Sequence, residues 1–277
     1  MFSLESYQAV QAGGGVVRRA DRGVLSVAGA DRASWLQGLL TNDVAALADG
    51  ERRYAAYLTP QGRMISDMNV IARGDRMLLD VPRPLAQPLR DRLDGLIFSE
   101  DVSVADLSDT WAVWTIIRPE DFLTIIDETL PSEYQALPAI DMDTFEVIRI
   151  ERGEPRFLAD MTEDTIPLEA GIEDRAISFT KGCYVGQEII VRVTHRGGGR
   201  VARKLVQWVG DEGAAVVPMP ESKIYAFDKE IGRVTSSAFS PRFGRVVGLG
   251  YVHRDFTSSG TSVTIVWKDT RVKASVK

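Results

Sequence analysis

The chain has 277 residues, a formal net charge of -6, one cysteine and two histidines. That length holds one large domain or two to three small ones. A lone Cys183 excludes an internal disulfide framework and, beside only His195 and His253, a closed zinc or all-cysteine cluster site; the mild acidity argues against non-specific nucleic-acid binding. The N-terminal 1-MFSLESYQAVQ-11 lacks the basic start and apolar run of a signal peptide. No stretch reaches the roughly 18 apolar residues of a membrane span. A reducing, cytoplasmic setting is the expectation.

Segment 23-GVLSVAG-29 reads as a strand. A helix is expected over 31-DRASWLQGLLTND-43, with Asp31 as N-cap and Trp35, Leu36, Leu39 and Leu40 on one face. The alternation in 53-RYAAYL-58 predicts a strand, and 63–72 and 77–81 predict a hairpin turning at 73-RGDR-76. Pro84 suits the first turn of a helix carrying Leu85, Leu89, Leu93 and Leu96. Strands around 102–107 and 111–117 then lead to a helix expected from Pro119 to Leu130, and 131–143 reads as a linker. After it, 144-TFEVIRIERG-153 has helical spacing. From about Arg203 onward, short apolar runs alternate with Gly, Ser, Pro and Asp turns, the texture of a small all-β module. The pattern is α+β, then all-β.

Asp67 sits in 64-MISDMNV-70, where a carboxylate among apolar neighbours is costly unless it is paired or functional. Alternation alone puts it opposite Met68, which leaves an outward-facing strand residue as the plain alternative. Cys183 lies in 180-TKGCYVGQE-188. A helix expected from Tyr184 or Val185 to Val193, with Lys181 close by, would favour its thiolate. No partnered base accompanies it, so hydrolase chemistry is disfavoured; redox chemistry, thiol exchange, metal contact and a structural role stay open. Segment 192-RVTHRGGGRVARK-204 is dense in basic residues, with glycines 197–199 able to bring backbone N–H groups close to an anion. A solvated basic loop is the alternative. RNA binding is disfavoured, because aromatic interleaving is missing.

The segment 180-TKGCYVGQE-188 resembles the K-G-C-Y-x-G-Q-E signature of the YgfZ family of folate-binding proteins, iron–sulfur cluster assembly or maintenance factors related to the T-protein of the glycine cleavage system, an aminomethyltransferase. Segments 35-WLQGLLTNDV-44, 57-YLTPQGRMISDMNV-70, 149-RIERGEP-155, 166-IPLEAGI-172 and 231-IGRVTSSAFSP-241 follow in the family's order, so the resemblance covers nearly the whole chain. It implies an α+β three-domain cloverleaf: residues 1–45 with 145–203, residues 46–144, and a C-terminal β-barrel over 204–277.

By the same resemblance the cofactor is tetrahydrofolate or another reduced folate. Glu169 would take the pterin in a bidentate contact. Lys181, Tyr184, Arg192, Arg196 and Arg200 would line the folate and its glutamate tail, with Arg203 nearby. Cys183 and Asp67 would carry the chemistry. At the position of Asp67 the T-protein has an acid near the folate's reactive nitrogens; many YgfZ-like proteins lack one, so this chain departs toward the transferase pattern. The resemblance implies iron–sulfur enzymes or assembly proteins as partners, neither membrane nor nucleic acid, and an aminomethyltransferase as the second reading.

Overall fold

The computed structural model describes residues 2–196 and 198–277, with only the backbone of Arg196. In chain order the elements are α1 (Leu4–Gly13), β1 (Gly15–Arg18), β2 (Arg22–Ala28), α2 (Arg32–Leu39), β3 (Arg52–Leu58), β4 (Met64–Arg73), β5 (Arg76–Pro82), α3 (Ala86–Asp94), β6 (Ser103–Asp106), β7 (Ala112–Ile117) and β8 (Phe122–Asp127). They continue with α4 (Met142–Glu151), α5 (Pro167–Ala170), α6 (Glu173–Ala176), α7 (Gln187–Val191), β9 (Arg203–Gly210), β10 (Lys223–Ala226), β11 (Lys229–Ser240), β12 (Arg245–His253), β13 (Ser262–Trp267) and β14 (Thr270–Val276). The class is α+β, ending in a closed barrel.

The chain forms two compact units, residues 1–142 with 172–190 and residues 143–171 with 191–277. The border expected at residue 45 crosses one sheet, because β2 pairs along its whole length with β5 and also with β6.

In the first unit, β3-β4-β5-β2-β6 form a five-stranded sheet and β1-β7-β8 a smaller one. One face of the larger sheet packs Leu25, Val27, Met68, Val70 and Leu79 against Trp35 and Leu36 of α2 and Leu89 and Leu93 of α3. The opposite face is also covered: Val24, Ile71 and Leu78 pack against Val113 and Ile126 of the smaller sheet. Two buried faces explain why polar residues between these strands are enclosed rather than solvated. The helix expected over 119–130 is instead β8, since the run Phe122 to Asp127 pairs in register with β7 from Ile117 to Ala112. Tertiary pairing and its β-branched residues override the helical reading. The expected linker is tied down, with Ile140 buried and its N–H donating to the Val16 carbonyl at 2.8 Å.

In the second unit, β10-β11-β12-β9-β14-β13 close into the barrel. Trp208 fills its core among Val234, Val246 and Ile265. Gly248 makes room for it: a Cβ there would lie 2.2 Å from the indole. Helix α4 buries Phe145, Ile148 and Arg149, and its end is held by Gln207, whose side-chain amide donates to the carbonyls of Ile150 and Glu151 at 2.7 and 2.9 Å.

Candidate functional site

The loop that carries Cys183 is anchored on both sides of it. Lys181 Nζ donates to three backbone carbonyls, Gln37 and Leu40 at 2.7 Å and Asn42 at 2.8 Å. These are the acceptors at and just beyond the end of α2, where the helix dipole is negative. Burial pushes the Lys181 ammonium down to about 8, with Asp43 pulling the other way. The adjoining chain is bonded to the same stretch, with Ser178 N donating to Thr41 O at 3.0 Å and the Thr41 hydroxyl to Ala176 O at 2.6 Å.

Tyr184 is buried, pushed up to about 12 by burial, and lies 5.4 Å beneath Lys181 Nζ. Gly186 has a φ of 84° and approaches β3 so closely that a Cβ would lie 2.6 Å from the Thr59 carbonyl oxygen. Between these anchors Cys183 is exposed.

This geometry corrects the expected start of the helix after Cys183. Helix α7 begins at Gln187, so Cys183 precedes it by four residues rather than starting it. The three N–H bonds of Lys181 point at carbonyls instead of the sulfur. Tyr184 and Gly186 need their backbone in this irregular turn to pack, which delays the helix.

Asp67 is 5% exposed, on the enclosed face opposite Met68. Its Oδ1 accepts from Arg22 Nη1 at 2.9 Å and its Oδ2 from the Tyr54 hydroxyl at 2.9 Å. Arg22 also donates through Nε to Asp80 Oδ1 and through Nη2 to the Asp80 carbonyl at 2.8 Å. Asn69 donates to Asp80 Oδ2 at 2.8 Å. Burial alone would lower the Arg22 guanidinium, but Asp67 and Asp80 outweigh it and hold it above its ordinary value. Burial and then Asp67 push the Tyr54 phenol well above its usual range, so it stays a donor. Arg175 lies 4.9 Å over the Tyr54 ring. The outward-facing alternative for Asp67 fails because the smaller sheet covers that face. The sequence reading missed Arg22, Tyr54 and Asp80; Asp80 in 77-MLLDV-81 carried the same signal as Asp67, a carboxylate inside an apolar strand.

The second unit holds Glu169 in the short α5, started by Pro167 and closed by Gly171 at a φ of 68°. Arg203 donates to Glu169 Oε2 through Nε at 3.3 Å and Nη2 at 3.2 Å, and lies 4.7 Å over the Tyr251 ring. Burial raises the Tyr251 phenol above its ordinary value. Among the described residues Oε1 of Glu169 accepts no hydrogen bond. That leaves one carboxylate oxygen, backed by an arginine and an aromatic ring, free to accept an N–H donor from a ligand. Arg192 and Arg200 are exposed. Gly197 lies outside the described residues, as does the side chain of Arg196. Thus Asp67, Lys181, Cys183 and Tyr184 belong to the first unit, and Glu169, Arg192 and Arg200 to the second.

Residues 2–122 match the family described as GCVT N-terminal domain, and residues 203–277 match the glycine cleavage T-protein C-terminal barrel domain. The chain belongs to the glycine cleavage T-protein family. An uncharacterized protein of Haemophilus influenzae is 29% identical over a match covering 77% of this chain and 81% of that one. An aminomethyltransferase of Geobacillus is 22% identical, covering 98% and 88%. A mitochondrial iron–sulfur cluster assembly factor IBA57 homologue of Neosartorya fischeri is 26% identical, covering 76% of this chain and 60% of its own length. Among solved structures, the glycine cleavage system aminomethyltransferase T of Bartonella henselae superposes with a TM-score of 0.84 at 18% identity, over 99% of this chain and 87% of that one. That last likeness is one of fold. No helix among the described residues is long and apolar enough to cross a membrane, and no cluster of three or more His, Cys, Asp or Glu among them is placed to hold a metal ion.

Proposed function

We propose that this protein binds a reduced folate, tetrahydrofolate or a close derivative, and supports iron–sulfur cluster assembly or repair in a reducing, cytoplasmic compartment. The observation that carries the reading is the pinned loop. Three anchors fix the chain around Cys183 while the thiol itself remains exposed to a partner. Similarity to an assembly factor supports that use of the loop.

Glu169 would hold the pterin through Oε1, with Arg203 orienting the carboxylate through Oε2. Arg192, Arg196 and Arg200 would meet the glutamate tail. Lys181 and Tyr184 would act by fixing the loop. When bound, a reduced folate supplies a pterin able to carry a one-carbon unit. Iron–sulfur enzymes or their assembly proteins are the partners this reading requires.

Titration calorimetry with tetrahydrofolate tests the reading. The wild-type chain should bind at micromolar concentration, and Glu169→Gln should weaken binding by at least about tenfold, one lost charge-assisted contact. Absence of binding at millimolar tetrahydrofolate sinks the folate assignment.

A second reading, a folate-dependent aminomethyltransferase, is favoured by one observation: Asp67 keeps acceptor capacity that its protein partners do not fill. Release of a one-carbon unit from an aminomethylated lipoyl carrier to tetrahydrofolate would establish it, and no turnover removes it.

A further inference from the structure

The β10–β11 hairpin places a phenylalanine where neither folding nor folate binding calls for one. Ala226 pairs with Lys229, so Phe227 and Asp228 alone make the turn, with φ values of 49° and 61°. A two-residue turn with both residues in the left-handed region favours Asn-Gly or Asp-Gly, and a bulky residue there is strained. Phe227 is nevertheless 93% exposed, so no packing compensates for it. Strain kept without a folding benefit marks a residue held for contact with something else.

The surroundings indicate what that is. Beside the hairpin is a cleft of about 330 Å³ lined by Tyr225, Phe227, Asp228, Thr264, Val266 and Arg271. The register sets Tyr225, Thr264 and Lys273 in one outward row and Lys223, Val266 and Arg271 in the next. Lys223 is paired with Glu230 at 2.8 Å. Arg271 and Lys273 are exposed and have no hydrogen bond or ion pair among the described residues. In a chain of net charge -6, two unpaired cations flank a cleft whose rim carries two aromatic rings, Tyr225 and Phe227. The barrel is closed, so no free strand edge is offered there. Recognition falls to side chains, an aromatic anchor with a basic flank.

We propose that this face docks an acidic peptide segment of a partner protein. One large apolar side chain of the segment seats between Tyr225 and Phe227, and carboxylates beside it meet Arg271 and Lys273. Asp228 and the acidity of the whole chain count against a densely phosphorylated polymer. The site uses none of the residues assigned to folate.

Fluorescence anisotropy with a labelled EELFEE peptide tests this, with KKLFKK as control. The acidic peptide should bind at micromolar to submillimolar concentration, and the basic one at least tenfold more weakly. Phe227→Gly should weaken binding at least tenfold while the unfolding temperature stays level or rises, because glycine relieves the turn. Arg271→Ala should weaken binding severalfold and reduce its salt dependence, and Glu169→Gln should leave it unchanged. Equal binding of the two peptides, none at millimolar acidic peptide, or Phe227→Gly binding like wild type overturns the proposal. So does tighter binding of an oligothymidylate, or dimerisation that Phe227→Gly abolishes while the peptide fails to compete.

Discussion

Each unit buries one arginine between two carboxylates, and the two clusters differ in how fully they are used. In the second unit Arg149 spends all five of its N–H donors: two on Glu146 Oε2, two from Nη1 on Asp160 Oδ2 and the Glu154 carbonyl, and one on the Ser236 hydroxyl. Asp160 accepts four bonds, from Arg149, Arg156 N, Thr235 and Ser236. That exhausts a carboxylate. In the first unit Arg22 makes three bonds and Asp67 accepts two. A saturated cluster has nothing left for a ligand and acts as a polar staple between α4 and β11. An unsaturated one keeps capacity that folding does not consume. Saturation therefore distinguishes the two clusters where burial does not, since both arginines are buried.

Breaking the saturated cluster should have the largest effect. Asp160→Ala leaves Arg149 buried without its main counter-charge, and the expected loss is about 3–5 kcal/mol. Urea unfolding followed by tryptophan fluorescence reads it, since one of the five indoles, Trp208, lies in the barrel core. A loss below about 1 kcal/mol would mean that the staple does not hold α4 to the barrel. Next comes Lys181→Met, which leaves three carbonyls without their donor and should cost about 1–3 kcal/mol. Hydrogen exchange should then quicken across residues 172–190; unchanged protection there would deny the lysine its anchoring role.

Asp67→Asn sharpens the contrast from the other side. The amide oxygen can still accept one of the two present bonds, and Arg22 keeps Asp80, so stability should fall by only about 1–2 kcal/mol. Tetrahydrofolate affinity should fall by about tenfold or more if the spare capacity belongs to the ligand. A variant that lost stability but kept full affinity would place Asp67 with the staples.

The sequence made most elements legible because their signals are local. Alternation in 53–58, the turn 73–76 and the leucine spacing after Pro84 each need only neighbouring residues, and each matches the structure. The strand β8 was not legible, because what makes it a strand is its pairing with β7. The burial of Asp67 stayed open for a related reason: alternation rightly sets it opposite Met68 but cannot say that the far side of the strand is covered. The cysteine signature divided similarly. Its exposed thiol could be named from sequence as the point of interest. The roles of Lys181 and Gly186 could not, because their partners lie about 140 and 127 residues earlier in the chain, at Gln37 to Asn42 and at Thr59.

The smallest effect on stability, and the most telling one, belongs to Cys183→Ala. The thiol is exposed, and the loop is fixed by Lys181, Tyr184 and Gly186, so the fold should change by no more than about 0.5 kcal/mol. In cells lacking the protein, wild type should restore the activity of iron–sulfur enzymes and Cys183→Ala should not. Lys181→Met should restore it in part, because the thiol is present but its loop is loosened. This pairing separates chemistry from architecture: one variant keeps the frame and removes the sulfur, and the other keeps the sulfur and weakens the frame. Full rescue by Cys183→Ala together with failure of Lys181→Met would show that the loop is needed for its shape, and the thiol would drop out of the mechanism.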